Sequence, residues 1–210
     1  MRIFNYNPAI LNLVRYYESI MNSDTVDGIF FNVLLDPDLT LKVYLPDLNQ
    51  RIDLFVVLDK FRNSNKTIML NILLAYQLLN DQSAKNIANF NNIFVQKLLA
   101  LISRYPNTFY LASISTSTTF FLQSNPNLYR KGTIVTRADL GFVDVDFYVF
   151  SEYFINIEFI KELLDRGKDI FVFPDSSGLL NQLPPDMRNR LNYIITTPPI
   201  ATPNLNIQQE

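Results

Sequence analysis

Apolar residues recur along this 210-residue chain in short blocks, and their spacing predicts the elements. Over residues 8–22, Ile10, Leu13, Val14, Tyr17 and Met21 return at helical spacing, with Asn7 placed to cap and Pro8 suited to the first turn. Two short strands follow, 29–35 and 40–45, and the Asp-Pro-Asp-Leu between them predicts a hairpin. Residues 52–58 read as an apolar strand and 59–65 as a polar loop. Residues 67–80 read as a helix that is apolar almost all the way round, from Ile68 to Leu79, and such a helix is buried on several sides.

Further on, Ser83 caps a second helix running to about Arg104, with Ile87, Phe90, Phe94, Leu98 and Leu101 on one face. Strands are predicted over 108–113 and 132–136. Residues 142–150 alternate, with Val143, Val145, Phe147 and Val149 on one face and Asp144, Asp146 and Tyr148 on the other. Asn156 caps a helix over 157–166, and Gly167 stands where a left-handed cap is wanted. Residues 169–173 form a fully apolar strand and 193–196 another.

Strands alternating with helices after residue 50 predict an α/β fold of three layers with a largely parallel central sheet. Residues 1–50 are then an N-terminal helix-plus-hairpin addition and 51–198 the core. Residues 199–210, rich in Pro, Asn and Gln, read as a disordered tail.

Composition narrows the chemistry more than the pattern does. The chain has neither Cys nor His, which excludes disulfides, thiolate and imidazole metal sites, cysteine nucleophiles and Ser-His triads. A general base must be a carboxylate, Lys or Tyr, and a metal site would use oxygen ligands suited to magnesium, manganese or calcium. A net charge of −2 supplies no overall basic field for nucleic acid. No apolar run approaches the roughly 20 residues of a membrane span, and the N-terminus lacks a signal-peptide layout, so the chain reads as soluble and intracellular. Its many Asn and few Gly match the bias of AT-rich small genomes, viral ones included.

Residues 54–58, then Lys60-Phe61-Arg62-Asn63-Ser64-Asn65-Lys66-Thr67, then the apolar run 68–79, resemble the first strand, phosphate loop and first helix of P-loop NTPases. Residues 169–175 resemble their second motif, an apolar strand ending in acid. Residues 176–190 are similar to the segment that follows it in DNA-packaging and translocating ATPases, and 192–197 to the next strand. The resemblance implies that Asn63, Ser64 and Asn65 surround a nucleotide phosphate, and that Lys66 contacts the β and γ phosphates. Thr67 and Asp175 would attend a magnesium ion, Asp175 also standing as the water-activating acid. Thr196 or Thr197 would be the sensor, and Arg188 or Arg190 would serve a neighbouring subunit. Lys60 and Asn65 occupy the two glycine positions, and Pro174 the magnesium-associated acid position. These departures imply a degenerate ATPase-like protein, weak or inactive, acting through assembly with itself or a protein partner in DNA handling.

Three other readings stand beside it. One is an active ATPase using ATP and Mg2+ in spite of the altered loop. A second is a metal-dependent nuclease built on Asp144 and Asp146, with Asp139, Glu152 or Glu158 and Lys161, although no Asp-x-Lys or Glu-x-Lys occurs in the chain. The third is an interaction module with no site and no cofactor.

Overall fold

The computed structural model describes residues 1–35, 40–73, 96, 100, 104, 109–113, 129–135 and 145–196. Ten strands are seen: β1 (Ile3–Tyr6), β2 (Gly28–Leu35), β3 (Leu41–Leu45), β4 (Gln50–Asp53), β5 (Thr67–Leu73), β6 (Phe109–Ser113), β7 (Tyr129–Val135), β8 (Phe147–Phe150), β9 (Asp169–Val172) and β10 (Asn192–Thr196). Helices with described bounds are α1 (Leu13–Met21), α2 (Leu54–Phe61), α3 (Ile157–Asp165) and α4 (Pro185–Arg188), with short 3-10 turns at Pro46–Leu48 and Leu179–Gln182.

Every strand except β3 and β4 is parallel to its ring neighbours, in the order β1-β2-β5-β6-β7-β8-β9-β10. β1 pairs with β10 on one side and with β2 on the other, so the sheet closes on itself. The result is an eight-stranded parallel barrel. β3 and β4 form an antiparallel ribbon on the far end of β2, where β1 has already ended.

This overturns the three-layer, P-loop-like architecture, and the reason lies in residues 51–73. The predicted strand over 52–58 is mostly α2. Asp53 caps it, its side chain accepting from the backbone N–H of Phe55 (2.8 Å) and Val56 (3.3 Å). Leu54, Val57, Leu58 and Phe61 are buried at helical spacing while Val56 is half exposed. The predicted helix from residue 67 is β5, at least to Leu73. A run apolar at nearly every position also suits a parallel strand covered on both faces. The real order is helix, loop, strand, the reverse of a phosphate-loop frame.

Other elements follow the pattern closely. The 29–35/40–45 hairpin is β2–β3, and α3 is capped by Asn156 accepting from Phe159 N at 3.0 Å. The residue-8 helix starts later, at Leu13, with Asn12 as cap; Asn7 instead accepts from Ala9 N at 2.9 Å in the turn leaving β1. The readings on 74–95, on Asp139 and Asp144 and on 199–210 lie outside the described residues. Residues 1–50 supply β1, β2 and β3 to the same sheet as the strands after residue 50.

Outside the ring, α1 and α2 bury Tyr16, Ile20, Leu54, Val57, Leu58 and Phe61 with Ile29, Phe31, Val33, Ile68 and Leu70. On the other side Ile160, Leu163 and Leu164 of α3 pack with Tyr148, Phe150, Ile170 and Val172. The opposite faces of these strands fill the barrel with Phe4, Phe30, Met69, Tyr110, Ile134, Phe147, Val149, Phe171 and Ile194. Aromatic rings dominate this interior and meet edge to face. Phe4–Phe171 and Tyr110–Phe147 centroids are 5.1 Å apart, and Tyr110–Phe171 and Phe147–Phe171 are 5.6 Å apart. Two glycines make the room. A Cβ on Gly28 would stand 2.4 Å from the Phe4 ring, and one on Gly132 would stand 2.1 Å from the Phe147 ring.

Candidate functional site

A parallel barrel has two unlike ends. Each strand enters at one, here called the floor, and leaves at the other, the mouth, where the connecting loops of barrel enzymes carry function.

The floor is charged and closed. Arg2, just before β1, donates to Asp169 Oδ2 at 2.7 Å, Arg130 donates to the same oxygen, and both guanidinium groups donate to the Tyr110 hydroxyl. The Arg2 guanidinium lies 4.9 Å from the centroid of the Tyr110 ring and 5.3 Å from that of Phe171. Lys66 is also at this end. Its buried ammonium donates to the carbonyls of Ser23 (2.8 Å) and Val26 (2.7 Å), tying the segment before β2 to the start of β5.

The mouth carries a different set. Asn71 of β5 lies beside Asn32 of β2 in strand register. Asn71 Nδ2 donates to Asn32 Oδ1 at 2.7 Å, and Asn32 Nδ2 donates to the Tyr6 hydroxyl of β1 at 2.9 Å. Tyr6 rests on Phe30 and Phe173, with centroids at 5.4 and 6.1 Å. Three strands thus present one continuous line, phenol to amide to amide, above an aromatic layer. At its inner end Asn71, 5% exposed, has a buried Oδ1 with no hydrogen-bond partner among the described residues. Leaving such a group unpaired costs about 1–3 kcal/mol, so it stands out within the barrel.

Burial pushes the Tyr6 phenol up, the negative charge of Asp47 and the nearby Tyr44 add to it, and the hydrogen bond from Asn32 pulls the other way. The outcome is about 12 against an ordinary 10.0. Tyr6 therefore keeps its proton throughout the neutral range and is a hydrogen-bond donor there. Its contribution to stability is complete below pH 10.0, where the unfolded phenol begins to ionise, and is lost as pH rises through about 12. A phenolate absorbance titration of wild type and Tyr6→Phe is expected to differ by one component near pH 12; identical curves there count against this placement.

The residues singled out from the sequence fall at opposite ends. Ser64, Asn65, Lys66 and Thr67 lead into or begin β5, and with Asn63 they belong to the floor side. Ser64 Oγ accepts from Lys66 N at 3.3 Å, and Thr67 N donates to Asp27 O at 3.0 Å. Thr196 ends β10 and Asp175 follows β9, so both are on the mouth side. Asp175 shapes its own loop: Oδ1 accepts from Ser177 N (3.0 Å) and Ser177 Oγ (2.5 Å), and Oδ2 accepts from Leu180 N (2.7 Å). Burial opposes its charge, but these donors outweigh it and hold the carboxyl below its usual range. Of the nuclease set, Asp146 precedes β8 at the floor and Glu152 follows it at the mouth. The four residues of β8 lie between them, a strand length of roughly 13 Å. Glu158 and Lys161 pair with each other at 2.8 Å on exposed α3. No group of three potential metal ligands occurs among the described residues.

Tyr6, Asn32 and Asn71 are not among the residues the sequence motifs single out, yet the two Asn carry a signal. Each Asn interrupts an otherwise apolar strand, Ile-Phe-Phe-Asn-Val-Leu-Leu and Ile-Met-Leu-Asn-Ile-Leu. A lone amide inside such a run needs a partner when buried.

No protein-family model matches the sequence, and no curated protein matches it. Solved structures do. An Oleispira antarctica phosphodiesterase in complex with the product sn-glycerol-3-phosphate superposes with a TM-score of 0.66 at 8% identity, covering 93% of this chain and 92% of that one. A Silicibacter pomeroyi protein assigned as a glycerophosphoryl diester phosphodiesterase gives 0.68 at 10% identity, over 93% and 89%. A glycerophosphodiester phosphodiesterase from Parabacteroides distasonis gives 0.60 at 12% identity, over 93% and 92%.

The chain shares the fold of these phosphodiesterases. That likeness and the closed ring replace the P-loop NTPase resemblance, and with it the degenerate ATPase, the Walker-type motif, the active Mg-ATPase alternative and the ATP cofactor. The reason is again physical: no helix begins at Lys66, so no helix N-terminus or row of amides faces a phosphate there. Among the described residues no helix is long and apolar enough to cross a membrane.

Proposed function

We propose that this protein recognises a small phosphate ester of the glycerol-phosphate class at the mouth of its barrel. The observation that carries the reading is the Tyr6–Asn32–Asn71 line ending in an unpaired buried acceptor, at the end of the barrel where such folds place their ligands. Support for the ligand class comes from the Oleispira antarctica phosphodiesterase, whose complex contains sn-glycerol-3-phosphate. Fold alone does not carry function, so the weight rests on the side chains.

Hydrolysis of phosphodiesters is commonly driven by divalent cations on carboxylates. The Tyr6–Asn32–Asn71 line and Asp175 do not fit such an ion. Asn32 and Asn71 are neutral amides, Tyr6 holds its proton, and Asp175 has its oxygens engaged by its own loop. A phenol with a pKa near 12 is also a poor general base at neutral pH. What the arrangement does well is accept and donate hydrogen bonds to an uncharged, hydroxyl-bearing part of a ligand over the Phe30 and Phe173 rings.

Titration calorimetry with sn-glycerol-3-phosphate and with a glycerophosphodiester tests the reading. Saturable binding is expected, weakened about tenfold in Tyr6→Phe, which removes one donated hydrogen bond. Absence of heat or of a melting shift at roughly millimolar ligand would remove the reading.

A further inference from the structure

Resting on that reading, we infer that the mouth binds its ligand without a divalent cation, through a ligand hydroxyl that donates to Asn71 Oδ1. The argument starts from satisfiability. A side-chain amide offers two donors and an acceptor oxygen with two lone pairs. Asn71 spends a donor on Asn32, while its oxygen, at a residue 5% exposed, has no partner among the described residues. An acceptor attracts a donor, which a phosphate oxygen is not and a hydroxyl is.

The other end of the line has the opposite character. The Tyr6 hydroxyl accepts from Asn32 Nδ2, so its own proton is available to be donated. The line therefore presents an acceptor at its Asn71 end and a donor at its Tyr6 end, and a ligand with two hydroxyls can answer each with a different one. A cation at Asn71 Oδ1 would meet one neutral amide oxygen, with no carboxylate on the line among the described residues. Hard divalent ions take six or more oxygen ligands, usually with carboxylates among them. Neutral hydrogen bonding thus does the work that a cation would otherwise do.

The test compares sn-glycerol-3-phosphate with propyl phosphate, which keeps the phosphate and lacks both hydroxyls, each titrated in EDTA and again with magnesium or calcium. The expected result is binding of the hydroxylated ester that is unchanged by EDTA, and about tenfold weaker binding of propyl phosphate. Asn71→Leu, of similar size, is expected to distinguish the two esters less than wild type does and to melt close to wild type, since it removes an unsatisfied acceptor along with one hydrogen bond. The melt also shows that the variant is folded. Binding that needs the cation, or equal binding of the two esters by wild type, overturns this inference while leaving phosphate-ester recognition standing. If neither ester binds under any condition, the recognition reading falls and the inference falls with it.

Discussion

Gly132→Ala is expected to destabilise the protein by about 3 kcal/mol, the upper end for overpacking a core. The added methyl would sit 2.1, 2.2 and 2.5 Å from three carbons of the Phe147 ring, well inside contact distance. Relief requires the ring to move, and it has nowhere to go. Phe147 is fully buried, with Tyr110 at 5.1 Å and Phe171 at 5.6 Å, and Phe171 is in turn held 5.1 Å from Phe4. The backbone is equally fixed, because β7 is paired on both sides, to β6 and to β8. For a chain of this length the loss corresponds to a fall of roughly 6–12 °C in melting temperature. The double variant Gly132→Ala with Phe147→Leu should recover part of it, since the smaller side chain vacates the space the methyl needs. A thermodynamic cycle over the two positions measures that coupling. A Gly132→Ala protein that melts within a degree or two of wild type would mean that Phe147 does not fill the barrel as described.

That the barrel is so tightly filled also explains how much of it could be read from the sequence. The inner-facing Phe147 and Val149 of β8 alternate with the outer-facing Tyr148 as the pattern predicts. The hairpin at β2–β3, helix α3 and its cap, and strands β9 and β10 are likewise local features with local signals. The stretch from residue 51 to 73 failed because two signals compete there. Leu54, Val57, Leu58 and Phe61 carry a helical period, but the continuous Leu-Phe-Val-Val-Leu also reads as a buried strand. In β5 the opposite holds, because a run with no polar face also fits a core helix. Only contact with β2 and β6 on either side decides it. Closure of the ring is less legible still. It depends on Arg2 and Asn192, 190 residues apart, where Arg2 N donates to Asn192 Oδ1 at 2.8 Å. No local period encodes that. The mouth shows the same division. Asn32 and Asn71 stand out as lone amides in apolar runs, but that they are register partners, and that Tyr6 completes the line, follows from the topology. Lys66 drew attention through its neighbours in sequence, whereas its position at the start of a strand makes it a fastening at the floor.

Asp169→Ala is expected to loosen that floor by about 2 kcal/mol, with a loss that depends on salt. Asp169 accepts from both Arg2 and Arg130, whose guanidinium groups also share the Tyr110 hydroxyl. Without the carboxylate two like charges face each other across one phenol, partly screened from water by the Tyr110 and Phe171 rings. Removing one partner of a fully buried ion pair costs about 3–5 kcal/mol. Here the Asp169 and Arg2 side chains are each 31% exposed and Arg130 is 38% exposed, so solvent screening lowers the figure. The salt dependence separates charge from packing. At about 1 M salt the screening length shrinks to roughly 3 Å, and repulsion between the arginines should fade, recovering part of the loss. Adding Arg130→Met to Asp169→Ala should recover more, because the remaining arginine keeps its place over Tyr110 with no like charge beside it. Denaturant titrations of the three proteins at low and high salt measure both effects. Because Asp169 and the Tyr6–Asn32–Asn71 line lie at opposite ends of the barrel, ligand affinity of the folded Asp169→Ala protein should stay near wild type. A loss of affinity alongside unchanged stability would place the carboxylate in the binding site rather than in the floor.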